Sequence, residues 1–230
     1  MKYNRILAIG GHIGDMELTC GGVLATCAAA GGHIATLALT GGEKGNPPDQ
    51  TPEQYRVQKV QEAERFAQML GGAAYVLPYA DGLLPDDDTV RFQVCDIIRR
   101  EKPDLIVTHH GKSMHKDHAA CHRIVKDAWF YAAIGGFRRE LPPHFGQLRF
   151  AENWEDAQDF RPYQYLEVSQ EGFRLWQEAV QTHWFVTGSK SFPYFEYYSH
   201  LKRLRGIEAR KTYAEAFMTL PEDVRLVESL

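Results

Sequence analysis

The chain reads as an α/β protein, a Rossmann-like and mostly parallel sheet with helices on both faces. Three observations predict this. Short apolar runs alternate with helical periodicity from Arg5 to Tyr131, glycine pairs stop two of the helices, and chemistry-bearing residues follow directly after the strand-like runs. Alternation of that kind builds a sheet covered on both sides, whose ligands sit outside the carboxyl ends of the strands.

Each element follows from local pattern. Arg5 to Ile9 is apolar without alternation, as a strand buried on both faces requires. Small residues from about Glu17 to Ala30 form a helix stopped by Gly31-Gly32. The pattern then recurs: strand Ile34 to Thr40, helix Pro52 to Leu70 ended by Gly71-Gly72, strand Ala74 to Leu77, helix Asp88 to Glu101, strand Leu105 to Thr108 and helix Asp117 to Tyr131. Periodicity fails from Gly135 to Arg161, a loop longer than a connection needs, and such loops are usually functional or disordered. Order resumes with strand Tyr163 to Ser169, helix Glu171 to His183 and a last helix from about Tyr197 to Phe217. No linker interrupts the pattern, so residues 1–230 are read as a single domain.

Composition excludes several classes. The 230 residues carry a net charge of -4 and no run of Lys or Arg, so nucleic acid is not an expected partner. No stretch approaches the ~20 apolar residues that span a bilayer. Cys20, Cys27, Cys95 and Cys121 form no C-x-x-C pair, which fits reduced thiols in the cytoplasm.

The chemistry is concentrated at two strand ends. His12 and Asp15 close the first strand in Gly10-Gly11-His12-Ile13-Gly14-Asp15-Met16-Glu17, and His115-Lys116-Asp117-His118 follows the strand Leu105 to Thr108. Zinc in hydrolytic sites takes three ligands from His and carboxylates and leaves a position for water, and His12, Asp15 and His118 supply that set. Five of the ten histidines lie between His109 and His122. Taken singly, Asp15 reads equally as a helix cap, and His118 with His122 as one solvated helix face. Nucleotide motifs fail: the first turn lacks G-x-G-x-x-G spacing, and Gly41-Gly42-Glu43-Lys44-Gly45 lacks the Gly-Lys-Ser/Thr of a phosphate loop.

The first group resembles the Ala-His-Pro-Asp-Asp-x-Glu motif of the LmbE-like, or PIG-L, zinc-dependent N-deacetylases, and the second matches that family's His-x-Asp-His. Supporting likenesses run through Thr40 to Gly45, the helix from Lys59 to Gly71, the turn Tyr79-Ala80-Asp81-Gly82 and Tyr213 to Phe217. The resemblance implies one Zn2+ per chain on His12, Asp15 and His118, with His115 assisting the tetrahedral intermediate and Asp117 orienting His115. Glu43, Lys59 and Asp81 fall to substrate binding, and the substrate is implied to be an N-acyl amino sugar or glycoconjugate.

Two departures qualify that likeness. Gly14 stands where the family has its general base, and Lys59 stands where it has an Arg, which loses planar bidentate recognition. Three readings follow: a slower N-deacetylase running on metal hydroxide, one using another base such as Glu17, Glu43 or His110, or a metal- or carbohydrate-binding member without that reaction. The deacetylase is taken forward, and an Asp restored at residue 14 is expected to raise its rate. Aromatics from Trp184 to Tyr198 read as core packing, a cover over the site, or a contact within a homo-oligomer.

Overall fold

A computed structural model describes residues 3–137 and 140–224. Seven strands form one sheet: β1 Arg5–His12, β2 His33–Thr40, β3 Ala73–Tyr79, β4 Leu105–His109, β5 Gln147–Ala151, β6 Gln164–Val168 and β7 Tyr213–Met218. Their order is β3-β2-β1-β4-β5-β7-β6, with β1 to β5 parallel and β7 antiparallel to both neighbours. The expected fold class is the one observed.

The helices are α1 Asp15–Thr19, α2 Gly21–Ala29, α3 Pro52–Met69, α4 Asp88–Glu101, α5 Lys116–Ala133, α6 Gln170–Val180, α7 Trp184–Thr187 and α8 Tyr194–Glu208. Successive side chains of a strand point to opposite faces, so β1 feeds two cores at once. Ile6 and Ala8 join Leu24, Trp176 and Phe217 on one face, and Leu7 and Ile9 join Val94, Ile98 and Ile124 on the other. Among the described residues no helix is long and apolar enough to cross a membrane.

Three elements differ from expectation. The helix expected from Glu17 to Ala30 is two helices broken at Cys20. The break leaves carbonyls without helical partners, and buried side chains from afar take them: the Trp176 indole N–H donates to Glu17 O at 2.8 Å, and Lys202 Nζ to Leu18 O at 2.9 Å. On the other side of the break, the Glu215 carboxylate accepts the Gly22 and Val23 amides at 2.9 and 2.8 Å. Lys202 and Glu215 pair with each other at 3.0 Å, almost wholly buried.

The loop expected from Gly135 to Arg161 contains β5, parallel to β4, although Arg138 and Arg139 within it lie outside the described residues. The last helix stops at Glu208, and Tyr213 to Met218 is strand, not helix. Arg210 takes a left-handed conformation (φ 56°) there, and the α8 backbone passes so close to the returning chain that a Cβ on Gly206 would lie 2.5 Å from Thr212 O.

Because Lys202 and Glu215 are buried together, removing one leaves the other uncompensated. Glu215→Ala is expected to cost about 3–5 kcal/mol. Urea unfolding measures it, and a loss below about 1 kcal/mol would show that the pair does not hold the α1–α2 break.

Candidate metal centre

Parallel pairing of β1 with β4, from Ile6 opposite Leu105 to Ile9 opposite Thr108, brings both strand ends to one edge. His12 is the last residue of β1, Asp15 the first of α1, and His118 lies in the first turn of α5. Three donor atoms meet there. His12 Nδ1 is 3.1 Å from His118 Nε2 and 3.3 Å from Asp15 Oδ2, and His118 Nε2 is 3.4 Å from Asp15 Oδ2. Donors around a tetrahedral ion at ~2.0–2.1 Å stand about 3.3–3.4 Å apart, so the triangle has the size that one zinc requires.

A second layer fixes the rings. Asp156, fully buried, accepts from His118 Nδ1 at 3.0 Å through one oxygen and from His109 Nδ1 at 2.8 Å through the other. The first contact leaves His118 Nε2 as a lone-pair donor toward the triangle. Burial opposes the charge on His109, but Asp156 and Asp15 outweigh it and push its pKa up to about 9. His12 Nε2 faces Asp81 Oδ1 at 3.2 Å and Asp117 Oδ2 at 3.4 Å, so His12 turns Nδ1 to the triangle. Burial favours neutral His12, yet Asp15, Asp117 and Asp81 carry its pKa well above the usual value.

The triangle opens into a cavity of about 210 Å³ that His115, Asp81, Lys59, Glu155, Phe185 and Tyr194 help to line. That is below the ~300–1,000 Å³ of sites for drug-sized ligands. Asp117, expected to orient His115, directs its carboxylate to His12 and to the Gly82 amide at 2.6 Å. Its backbone N–H does the orienting instead, donating to His115 Nδ1 at 3.2 Å, which leaves the ring proton on Nε2. Glu43 accepts from the Asp81 amide at 2.9 Å and pairs with Arg56 at 3.1 Å, so it supports the Asp81 turn and does not line the cavity.

Phe185 on α7 alters the expectation for residue 14 most. Gly14 has φ +105°, and a Cβ built there would lie 2.4 Å from Phe185 Cζ. The ring fills the space that any side chain at residue 14 would take. Of the substitutes considered, Glu17 accepts from the Gly14 amide at 3.1 Å, Glu43 serves the Asp81 turn, and His110 bonds Gln158 O; none lines the cavity. Among the residues that do, Glu155 was not anticipated, and burial with nearby Asp15 and Asp156 pushes its pKa up to about 7. The aromatic stretch both packs and covers: Phe185 and Tyr194 line the cavity, while Phe195 and Tyr197 pack on the β1 core.

Residues 7–129 match the family model described as PIG-L, GlcNAc-PI de-N-acetylase. Among characterised proteins, the chain is 21% identical over 217 residues to a 4-oxalmesaconate hydratase of Pseudomonas putida, covering 89% of this chain and 81% of that protein. It is 29% identical over 163 residues to the 1D-myo-inositol 2-acetamido-2-deoxy-alpha-D-glucopyranoside deacetylase of Thermobifida fusca, covering 58% of this chain and 57% of the enzyme. Among solved structures, a conserved protein of Thermus thermophilus superposes with a TM-score of 0.78 at 28% identity, covering 97% of both chains.

Asp156 holds both His109 and His118 through their Nδ1 atoms. Asp156→Asn keeps the shape but loses an acceptor for one ring, and outer partners of this type are worth ~10–100-fold in metal affinity. Competition with a chelator should show zinc affinity falling by that factor in Asp156→Asn; an unchanged affinity would deny Asp156 the role.

Proposed function

The chain belongs to the GlcNAc-PI de-N-acetylase (PIG-L) family, and from that premise we propose that it is a metal-dependent hydrolase removing the acyl group from an N-acyl amino sugar or small glycoconjugate. The observation that carries this reading is the triangle of His12, Asp15 and His118 in the lining of an open strand-end cavity. We assign one zinc per chain to those three side chains. A rival set, Asp15 with His109 and His118, supports the reading less well, because His109 is fully buried and does not reach the cavity. A zinc held by His12, Asp15 and His118 would supply Lewis acidity toward an acyl carbonyl and would lower the pKa of a water to ~7.

The chain's own groups do the rest. His115, held through Nδ1 by the Asp117 amide, presents its Nε2–H to the cavity as a hydrogen-bond donor to the oxygen that gains charge when water attacks the acyl carbon, and the proton that this water loses ends on the departing amine. Asp81 and Asp117 keep His12 oriented from behind. Lys59 and the aromatic wall of Phe185 and Tyr194 bound the substrate.

A second reading, addition of water across the double bond of a small unsaturated acid, is favoured by two observations. Phe185 fills the space beside Gly14, where the resemblance puts the general base of N-deacetylation, and a relative that covers 89% of this chain carries the name of a hydratase. In hydration the proton that the water loses goes to the substrate carbon and no amine leaves, so no group need carry a proton to nitrogen.

Three outcomes test these assignments. His12→Ala and His118→Ala should each strip the zinc, and full retention in both, by elemental analysis, would overturn the ligand set. His115→Ala should keep the metal and lose about 10²-fold in kcat on any substrate the parent turns over; wild-type kcat would remove His115 from the reaction. Gly14→Asp, contrary to the expectation from sequence, should bring no gain alone, because its side chain meets Phe185. Together with Phe185→Ala it should raise amine release from N-acetylglucosamine by about tenfold, toward the lower end of what a general base contributes. If the zinc-loaded double variant and the parent both release no amine while the parent hydrates unsaturated acids, the second reading replaces the first.

A further inference from the structure

Lys59 is a buried ammonium with almost nothing to bind. It is 5% exposed, lines the cavity, and lies between the rings of Phe185 and Tyr55, 5.0 and 5.6 Å from their centroids. An ammonium has three donors, and the single hydrogen bond here is a long one, 3.3 Å to Gly42 O. Among the described residues no carboxylate lies within 4.0 Å of Nζ.

The acids nearest to it are committed elsewhere. Asp15 faces His12, His109 and His118; Asp81 takes the Lys44 amide and His12; Glu62 takes Gln58 and the Trp184 amide; Glu17 takes the Gly14 amide. They balance the charge of Lys59 at a distance without satisfying its donors. A buried cation left so is costly unless something completes it. The same Phe185 ring that Lys59 adjoins excludes a side chain at residue 14, so no carboxylate from that position pairs with the ammonium either.

We propose that Lys59 binds a carboxylate of the substrate, so that this cavity takes a small anionic molecule and not a neutral sugar amide. The proposal rests on the cavity being the substrate site of a metal-dependent enzyme, and it sets the charge class of what enters. An acidic N-acyl compound meets it in the first reading, and an unsaturated acid in the second. The flat wall of Phe185 suits a planar, conjugated acid lying beside its carboxylate contact.

The test uses the full chain, zinc-loaded and zinc-free, in titration calorimetry with fumarate, with its diamide, and with N-acetylglucosamine. The diamide keeps the shape and removes both charges. The parent should bind fumarate about tenfold or more tighter than either neutral probe. Lys59→Met should abolish that preference and Lys59→Arg should keep it, with zinc content the same in all three. Equal binding of fumarate and diamide by the parent, no binding of fumarate at millimolar concentration, or a preference surviving in folded Lys59→Met would each overturn the proposal. Failure to bind zinc is a separate result: it removes the metal reading, while the fumarate preference is still read on the zinc-free chain. If Lys59→Met does not fold, loss of the preference in place of its retention in Lys59→Arg overturns it.

Discussion

The parallel pairing of β1 with β4 is the constraint on which the site depends. Strand order turns at β1, which has β2 on one side and β4 on the other, and a crevice opens at such a switch. Residues 12 and 118, separated by more than a hundred positions in the chain, become neighbours only because those strands hydrogen-bond in register and end together. Asp156 converts proximity into geometry. It reaches in from the segment after β5, and β5 is itself aligned by β4, so one ladder of parallel strands sets His12, His118 and the carboxylate that orients His118.

Much of this was legible in the sequence because it is local. Apolar runs without alternation marked β1, β2 and β4, and the residues after them carried the donors. What could not be read was set by partners distant in the chain. Nothing at Cys20 announces a helix break; Trp176, Lys202 and Glu215 make it possible by taking the freed backbone groups. Gln147 to Ala151 is five residues after a stretch of Pro and Gly, with Arg149 among them, and pattern alone does not call that a buried strand. Tyr213 to Met218 continues a helical periodicity, and only the left-handed turn at Arg210 and the close approach at Gly206 end the helix first. Asp156 had a signal of a physical kind: a buried His that turns one nitrogen into a site needs an acceptor for the other, and the long segment after α5 held several acids that could supply it.

The Gly14 position gains its meaning from Phe185, which no local pattern links to it. A missing base read from sequence is a deficiency, to be repaired by replacing the residue. In the fold an aromatic ring takes the volume, the backbone takes a positive φ that a side chain would strain, and the Lys59 ammonium lies against the same ring. Together they set an apolar wall with a cation at its edge in the cavity that His12, Asp15 and His118 line. Such a set alters which molecule the site accepts without disturbing the donors that would activate water, and this is how one scaffold serves reactions that share a metal-bound water and differ in what the water attacks.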